Sequence, residues 1–462
     1  MGETALPSIR PESPRRDAEG HQRPRSAVVL AAGLSTRMAG AAGHGSKALM
    51  RFGGVPLVER VVRRLLALGV ENVFVVVGAH VRPVTAFVDA IAPGRVRAIQ
   101  ADDWKLGNGA SLAAAEPYLA DEQLFLCVTT DHLFGEGSLE PLLTARRPAV
   151  LVDRAPSPEV WAEGTRVRLL GDDAVAFSKE LTNPTVDCGA FLLSPAVFEA
   201  QRASAREGDH SLAGAVSRLA ASWPLAAVPL PAGAWWIDLD TPADVRAARR
   251  AYRRSLVKAS DGPVARYLNR PVSTRISMAI VRFRPHPDLL SVIAFLFGLA
   301  GAGLLWNGSG LVAAVVVQLA SILDGVDGEV ARLQNRARAQ GALLDGVLDR
   351  VADAAIAAGL AGWALSAGHV SGSGAIVLAV AATALSLLSM ATKDRISSLG
   401  LAAAPEGGLN LLLGGRDGRL LLVALAALAG QPLWALAVIV VTCGLSLVLR
   451  LVFVLRRASR SE

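Results

Sequence analysis

Cysteine is nearly absent from this chain of 462 residues, and acidic side chains are scarce in its second half. Its three cysteines, Cys127, Cys188 and Cys443, stand far apart with no ligand-type spacing. That excludes a disulfide framework or a thiolate metal cluster, suits a reducing compartment, and leaves all three as small core residues. After His286 only eleven acidic residues occur, and six of them fall between Asp324 and Asp353. Residues 1–25 lack the apolar run of a signal peptide and are rich in Pro, Arg, Glu and Ser, so a disordered tail is expected there.

A hydrophobic content of 52% and a mean hydropathy of +0.40 average two unlike halves. Residues 26–250 are charged and of soluble character, 251–285 form a basic linker with an interfacial helix, and 286–462 form a membrane domain. Six apolar segments are marked: Leu289 to Trp306, Gly310 to Leu323, Ala342 to Leu365, Ile376 to Met390, Leu420 to Leu428 and Trp434 to Phe453. The sequence therefore predicts an all-α integral membrane domain of six transmembrane helices. Tyr267 to Arg284 alternates arginine with aliphatic residues, and Arg266, Arg270, Arg275, Arg282 and Arg284 are expected to touch lipid.

The net charge of +7 and pI near 9.8 raise the question of nucleic acid. Much of the excess, however, lies beside the membrane segments, in Arg246, Arg249, Arg250, Arg253, Arg254 and Lys258 and again in Arg456, Arg457 and Arg460. Membrane lipids with anionic headgroups fit that placement, and no nucleic-acid partner is expected. The turns near Asn307, His369 and Gln431 carry no Lys or Arg, whereas the intervening loops carry Arg332, Arg336, Arg338, Lys393, Arg395, Arg416 and Arg419. By the positive-inside bias this predicts a multi-pass protein of the cell membrane with both termini and both active sites on the cytoplasmic side.

The acidic residues of the second half follow the pattern DxxDGxxAR, eight residues, then GxxxDxxxD, from Asp324 to Asp349. On helices, Asp324 with Asp327, and Asp345 with Asp349 and Asp353, each share a face. Four or five carboxylates aimed into one cavity need divalent cations, and hard oxygen donors suit Mg²⁺, with Mn²⁺ as the other choice. Gly328, Gly341 and Gly346 leave room for a phosphate or a neighbouring backbone.

These residues resemble, position for position, the motif of the CDP-alcohol phosphotransferase family, from about Tyr267 to Arg457. The resemblance implies transfer of a substituted phosphate from a CDP-linked donor to an alcohol, with release of CMP. It implies two metal ions held by Asp324, Asp327, Asp345 and Asp349, a nucleotide beside Gly328, Ala331, Arg332 and Gly341, and Asp349 as the base for the acceptor hydroxyl. Asp288 stands where the family commonly has Asn, which departs from the pattern. Lys393, Arg395 and Arg416 can bind an acceptor phosphate or act as topology signals. A dimer through this domain is the family's usual state.

In the first half, strands are expected at Ala27 to Leu30, Val73 to Val77, Val96 to Gln100, Leu124 to Val128 and Ala149 to Val152, with helices at Val55 to Leu68 and Ala110 to Leu119. This alternation predicts a Rossmann-like three-layer α/β domain with ligands at the carboxyl ends of the strands. Leu30, Ala31, Ala32 and Gly33 open a turn followed by Arg37 and Lys47, a cradle for a triphosphate. The stretch resembles the opening of sugar-phosphate nucleotidyltransferases. That resemblance implies base contacts from Gly107, Asn108, Gly109 and Ser111, metal ligands in Asp131 and Asp238 for one or two ions, with Asp240 as rival, and Lys179 on the acceptor phosphate.

By these resemblances one half is expected to make an NDP-linked alcohol and the other to consume a CDP-linked one, so the fusion of product and donor points to CTP. From Ser26 onward, at Gly107 to Leu112, at Asp324 to Arg332 with Glu329, and at Gly415-Arg416-Asp417, the chain resembles the family of bifunctional inositol-1-phosphate cytidylyltransferases and di-inositol phosphate phosphate synthases. This implies CTP and inositol-1-phosphate as substrates, CDP-inositol as intermediate and a second inositol-1-phosphate as acceptor. A lipid alcohol or another polyol phosphate as acceptor is the alternative, and a membrane transporter with a nucleotide-sensing domain a remote one.

Overall fold

The computed structural model describes residues 23–33, 46–78, 81–258, 261–398 and 415–458. Contacts divide the chain into two compact units, between Ala251 and Tyr252. The expected tail lies outside the described residues up to residue 22. Arg25, at its end, is already built in: its side chain meets Glu71 at 2.8 Å, and its carbonyl accepts from the Glu71 and Asn72 amides.

In the first unit, a sheet of nine strands among the described residues is ordered Val96–Gln100, Asn72–Val77, Ser26–Leu30, Phe125–Thr129, Val186–Leu193, Ala149–Asp153, Leu225–Pro229, Asp173–Ser178, Arg166–Leu170. Ser26–Leu30 lies parallel to both its neighbours, and every one of its side chains is buried, as expected for a strand covered on both faces. Val29, Val75 and Val128 enter one core layer, and Val28, Val76 and Cys127 the other. Each such valine contributes about 1.5 kcal/mol or more by leaving water. The Rossmann-like three-layer expectation holds for this half, with a mixed outer sheet: Val186–Leu193 runs antiparallel to Phe125–Thr129.

Two expected helices differ in extent. Val55 and Pro56 pair with Arg51 and Phe52 as a small ribbon, so the first helix is Leu57–Ala67. The expected Ala110–Leu119 helix is two pieces, Asn108–Ala113 and Glu116–Leu119, because Pro117 has no amide to donate and fits only in the first turn of a new helix. A second ribbon pairs His132–Phe134 with Trp236–Asp238, placing Asp238 opposite His132.

The second unit is helical. After a π-helical turn, Ala265–Asn269, come, among the described residues, the helix Arg270–Ile280 and six longer elements: Pro287–Trp306, Gly310–Leu333, Ala339–Ser366, Gly372–Ser398, Arg416–Leu428 and Pro432–Ala458. Among the described residues four are long and apolar enough to cross a membrane: the first two, the fourth and the last. Ala339–Ser366 carries Asp345, Asp349, Arg350 and Asp353, and Arg416–Leu428 has only 13 residues. Small residues let the helices close: a Cβ on Gly359 would sit 2.3 Å from the Ala302 carbonyl oxygen.

The helix Arg270–Ile280 corrects one expectation. Arg270 does not point to lipid. Its guanidinium meets Asp261 at 2.9 Å and the fully buried Glu329 at 2.8 Å, and Ser273 and Ser277 donate to the same Glu329 carboxylate at 2.6 Å. A carboxylate that deep must be paired, and the arginine nearest it is drawn inward.

Candidate active sites

In the first unit, Phe125–Thr129 is followed two residues on by Asp131, whose Oδ1 lies 2.9 Å from His132 Nδ1. Lys47 returns in a short turn, and its Nζ stands 3.2 Å from Asp131 Oδ2 and 3.8 Å from Asp238 Oδ1, with a hydrogen bond to Asp240. Asp131, His132 and Asp238 each offer an atom within 4.8 Å of the others. Asp238 Oδ1 is enclosed and has no hydrogen-bond partner. A buried carboxylate oxygen with unspent lone pairs beside a second carboxylate fits a divalent cation.

Charge shifts the protonation of these groups. Burial alone would lower the His132 pKa, but Asp238 and Asp131 outweigh it and lift it to about 9. Burial alone would raise Asp131, yet the hydrogen bond and charge of His132, with Lys47, hold it well below the usual carboxylate range. Burial pushes Asp238 up to about 6, against the opposing pull of His132. His132 also stacks flat on Trp236, centroids 5.4 Å apart, and accepts or donates to Thr129 Oγ1 at 2.7 Å.

These groups open into a cleft of about 1160 Å³ that also includes Asn108, Asp187 and Lys179. Lys179 is exposed at its wall. Gly107 and Gly109 press on the backbone of His210 and Ser211, where an added Cβ would come within 2.5 Å of a carbonyl oxygen. Asn108 accepts from the Leu212 amide at 2.7 Å, and buried Ser111 donates to the Gly107 carbonyl at 3.1 Å. Leu30, Ala31 and Ala32 are buried at the strand end and Gly33 is exposed. Arg37 lies outside the described residues.

In the second unit, Asp324, Asp345 and Asp349 bring carboxylate oxygens within 4.8 Å of one another. Asp327 is buried beside them, accepting from Ser291 and the Gly328 amide. Arg416 Nη1 lies 2.7 Å from Asp324 and 2.8 Å from Asp349, and its Nε lies 3.0 Å from Asp353. Asp353 also faces Arg350 at 3.3 Å and Arg419 at 3.8 Å, so this fifth acid serves arginines. The Gly328 and Gly341 positions are half-buried and uncrowded, with nothing closer than 3.4 Å to an added Cβ. Ala331 and Arg332 follow on the same helix, and Arg332 reaches the Leu256 carbonyl at 3.4 Å. Lys393 and Arg395 lie near the end of Gly372–Ser398. Asp288 accepts from Arg338 at 3.0 Å.

Two family profiles match: the MobA-like NTP transferase domain over residues 27–221 and CDP-alcohol phosphatidyltransferase over residues 284–411. The chain is 35% identical to the bifunctional IPC transferase and DIPP synthase of Rubrobacter xylanophilus over 88% of its own length and 91% of that protein's. It is 34% identical to the enzyme of the same name from Thermococcus kodakarensis, over 73% and 76%. The chain belongs to this bifunctional family. Among solved structures, the inositol-1-phosphate CTP transferase from T. maritima is 23% identical, covering 48% of this chain and 91% of that one with a TM-score of 0.43.

The chain is thus a bifunctional transferase joining a nucleotidyltransferase to a CDP-alcohol phosphotransferase. Sequence reasoning missed His132, for which the Asp131-His132 pair after a strand was the available signal. Glu329 belongs to the family resemblance, but its pairing with Arg270 was not foreseen.

Proposed function

We propose that the first unit converts CTP and inositol-1-phosphate to CDP-inositol and pyrophosphate, and the second transfers phosphoinositol from CDP-inositol to a second inositol-1-phosphate, releasing CMP. The observation that carries this is the presence, in one chain of the bifunctional family, of two separate acidic centres: Asp131 with Asp238, and Asp324 with Asp345 and Asp349.

In the first centre Lys47 and Arg37 approach the triphosphate, Gly107 to Ser111 shape the base pocket through their backbone, and Lys179 holds the acceptor phosphate, whose oxygen attacks the α-phosphorus. Asp238, with its enclosed and unspent oxygen, is preferred to Asp240 as metal ligand because Asp240 is taken by Lys47. In the second centre Asp349 takes the proton of the attacking hydroxyl, Arg332 with Gly328, Ala331 and Gly341 borders the nucleotide, and Lys393, Arg395 and Arg416 hold the acceptor phosphate. Mg²⁺, or Mn²⁺, bound by the carboxylates offsets charge on the diphosphates, with two ions in the membrane centre and one or two in the other. We further propose six membrane crossings, a dimer through this domain, contact with anionic lipids, and both centres on the cytoplasmic side.

The test is to incubate purified protein with Mg²⁺, CTP and inositol-1-phosphate and follow pyrophosphate and CMP. Asp131→Asn stops pyrophosphate release. Asp349→Asn stops CMP release from supplied CDP-inositol. Pyrophosphate without CMP would mean a different acceptor, such as a lipid alcohol, and neither product would overturn the substrate.

A further inference from the structure

The acids of the second centre already share a cation, and it belongs to the chain. Arg416 Nη1 lies between Asp324 and Asp349, at 2.7 and 2.8 Å, the same two carboxylates that with Asp345 converge within 4.8 Å. One guanidinium nitrogen is thus within ion-pair distance of two of the three converging carboxylates. Its other end is tethered: Nε pairs with Asp353 at 3.0 Å. The next residue is tethered too, since Asp417 accepts from Asn269 at 2.6 Å and from Ser321 at 3.1 Å, fixing the start of the Arg416–Leu428 helix against Ala265–Asn269 and Gly310–Leu333.

We infer that Arg416 is a built-in counter-cation of the membrane centre: it neutralises Asp324 and Asp349 until a divalent ion displaces it, and Asp353 keeps the displaced guanidinium at the edge of the site. This rests on the proposed use of the centre for metal-dependent transfer, and adds that ion binding must break two arginine–carboxylate pairs. Such an internal competitor lowers the site's ion affinity and stabilises the protein without ions. A freed arginine beside the site is then placed to meet the acceptor's phosphate.

Mn²⁺ binding to the full-length protein in detergent micelles, followed by electron paramagnetic resonance, tests this. It is done in an Asp131→Asn background so that the membrane centre dominates the signal. Arg416→Gln is expected to tighten Mn²⁺ binding at least about tenfold, and Arg416→Lys less. Arg419→Gln removes one positive charge from the same helix but pairs with Asp353 at 3.8 Å, and is expected to change affinity by less than about twofold. Thermal unfolding supplies the second readout: Arg416→Gln lowers Tm in chelator, and the deficit shrinks at saturating Mn²⁺ to the part due to the Asp353 pair. Unchanged or weaker Mn²⁺ binding in Arg416→Gln, an equal gain in Arg419→Gln, or a Tm deficit undiminished at saturation overturns the inference. Retained Mn²⁺ binding in Asp324→Asn overturns instead the underlying assignment of the centre.

Discussion

At the scale of single residues, His132 connects sequence to electrostatics most directly. With its pKa lifted to about 9 by Asp238 and Asp131, it holds a proton at pH 7 to 8 that an unfolded chain would release near 6.5. Its contribution to stability is therefore complete below pH 6.5 and is lost as pH rises through 9. In protein freed of metal, the His132 ring resonances in an NMR titration should move with a midpoint above 8, and Asp238→Asn should bring that midpoint down. A midpoint near 6.5 in both proteins would remove the coupling. Gly189 belongs to the same constellation: its φ is +70°, and a Cβ there would lie 2.8 Å from the His132 ring and 2.9 Å from Thr129 Oγ1. Gly189→Ala should lower pyrophosphate release by about a hundredfold through displacement of the ring, while CMP release from supplied CDP-inositol stays as in the wild type. Little of this was legible beforehand. Asp131 was reached through the nucleotidyltransferase resemblance, but a histidine's meaning depends on the strand Trp236–Asp238, which is more than a hundred residues away and too short to mark by pattern.

At the scale of elements, the reading succeeded where a periodic pattern runs long and failed where polar contacts decide. Among the described residues, each of the six apolar runs falls on a helix of the second unit, and the i, i+3 and i, i+4 spacings placed Asp324, Asp345 and Asp349 on faces that converge. The helix Arg270–Ile280 was misread because alternating Arg and aliphatic residues fit a lipid-facing surface equally well; only the buried Glu329 opposite shows that Arg270 turns inward. Three polar groups of this helix, Arg270, Ser273 and Ser277, thus bind it to Gly310–Leu333 around the Glu329 carboxylate, while Asp261 holds the other edge of the Arg270 guanidinium. Arg270→Ala leaves that carboxylate without its counter-charge and should cost on the order of 3 kcal/mol. Thermal unfolding in micelles should show it as a clear fall in Tm, and Arg270→Ala combined with Glu329→Gln should lose less than the sum of the two. Additive losses would mean the pair is not coupled.

At the scale of the whole molecule, the described groups named for each centre fall within one unit: Asp131, Asp238, Lys47 and His132 all precede residue 251, and Asp324, Asp345, Asp349 and Arg416 all follow it. Two self-contained centres linked through one chain need share nothing but the CDP-linked intermediate. Asp131→Asn and Asp349→Asn should therefore complement one another when mixed, because CDP-inositol made by one protein can be consumed by the other. The measurement is CMP release from CTP and inositol-1-phosphate. Each variant alone gives none; the mixture releases CMP after a lag set by the time the intermediate needs to accumulate to the second centre's KM. Adding CDP-inositol at the start should abolish the lag, and diluting the mixture should lengthen it, since transfer between separate proteins depends on concentration while chemistry within each does not. A mixture that releases no CMP, although supplied CDP-inositol is consumed, would mean that the intermediate never leaves the chain that makes it, and that the two centres must work as one.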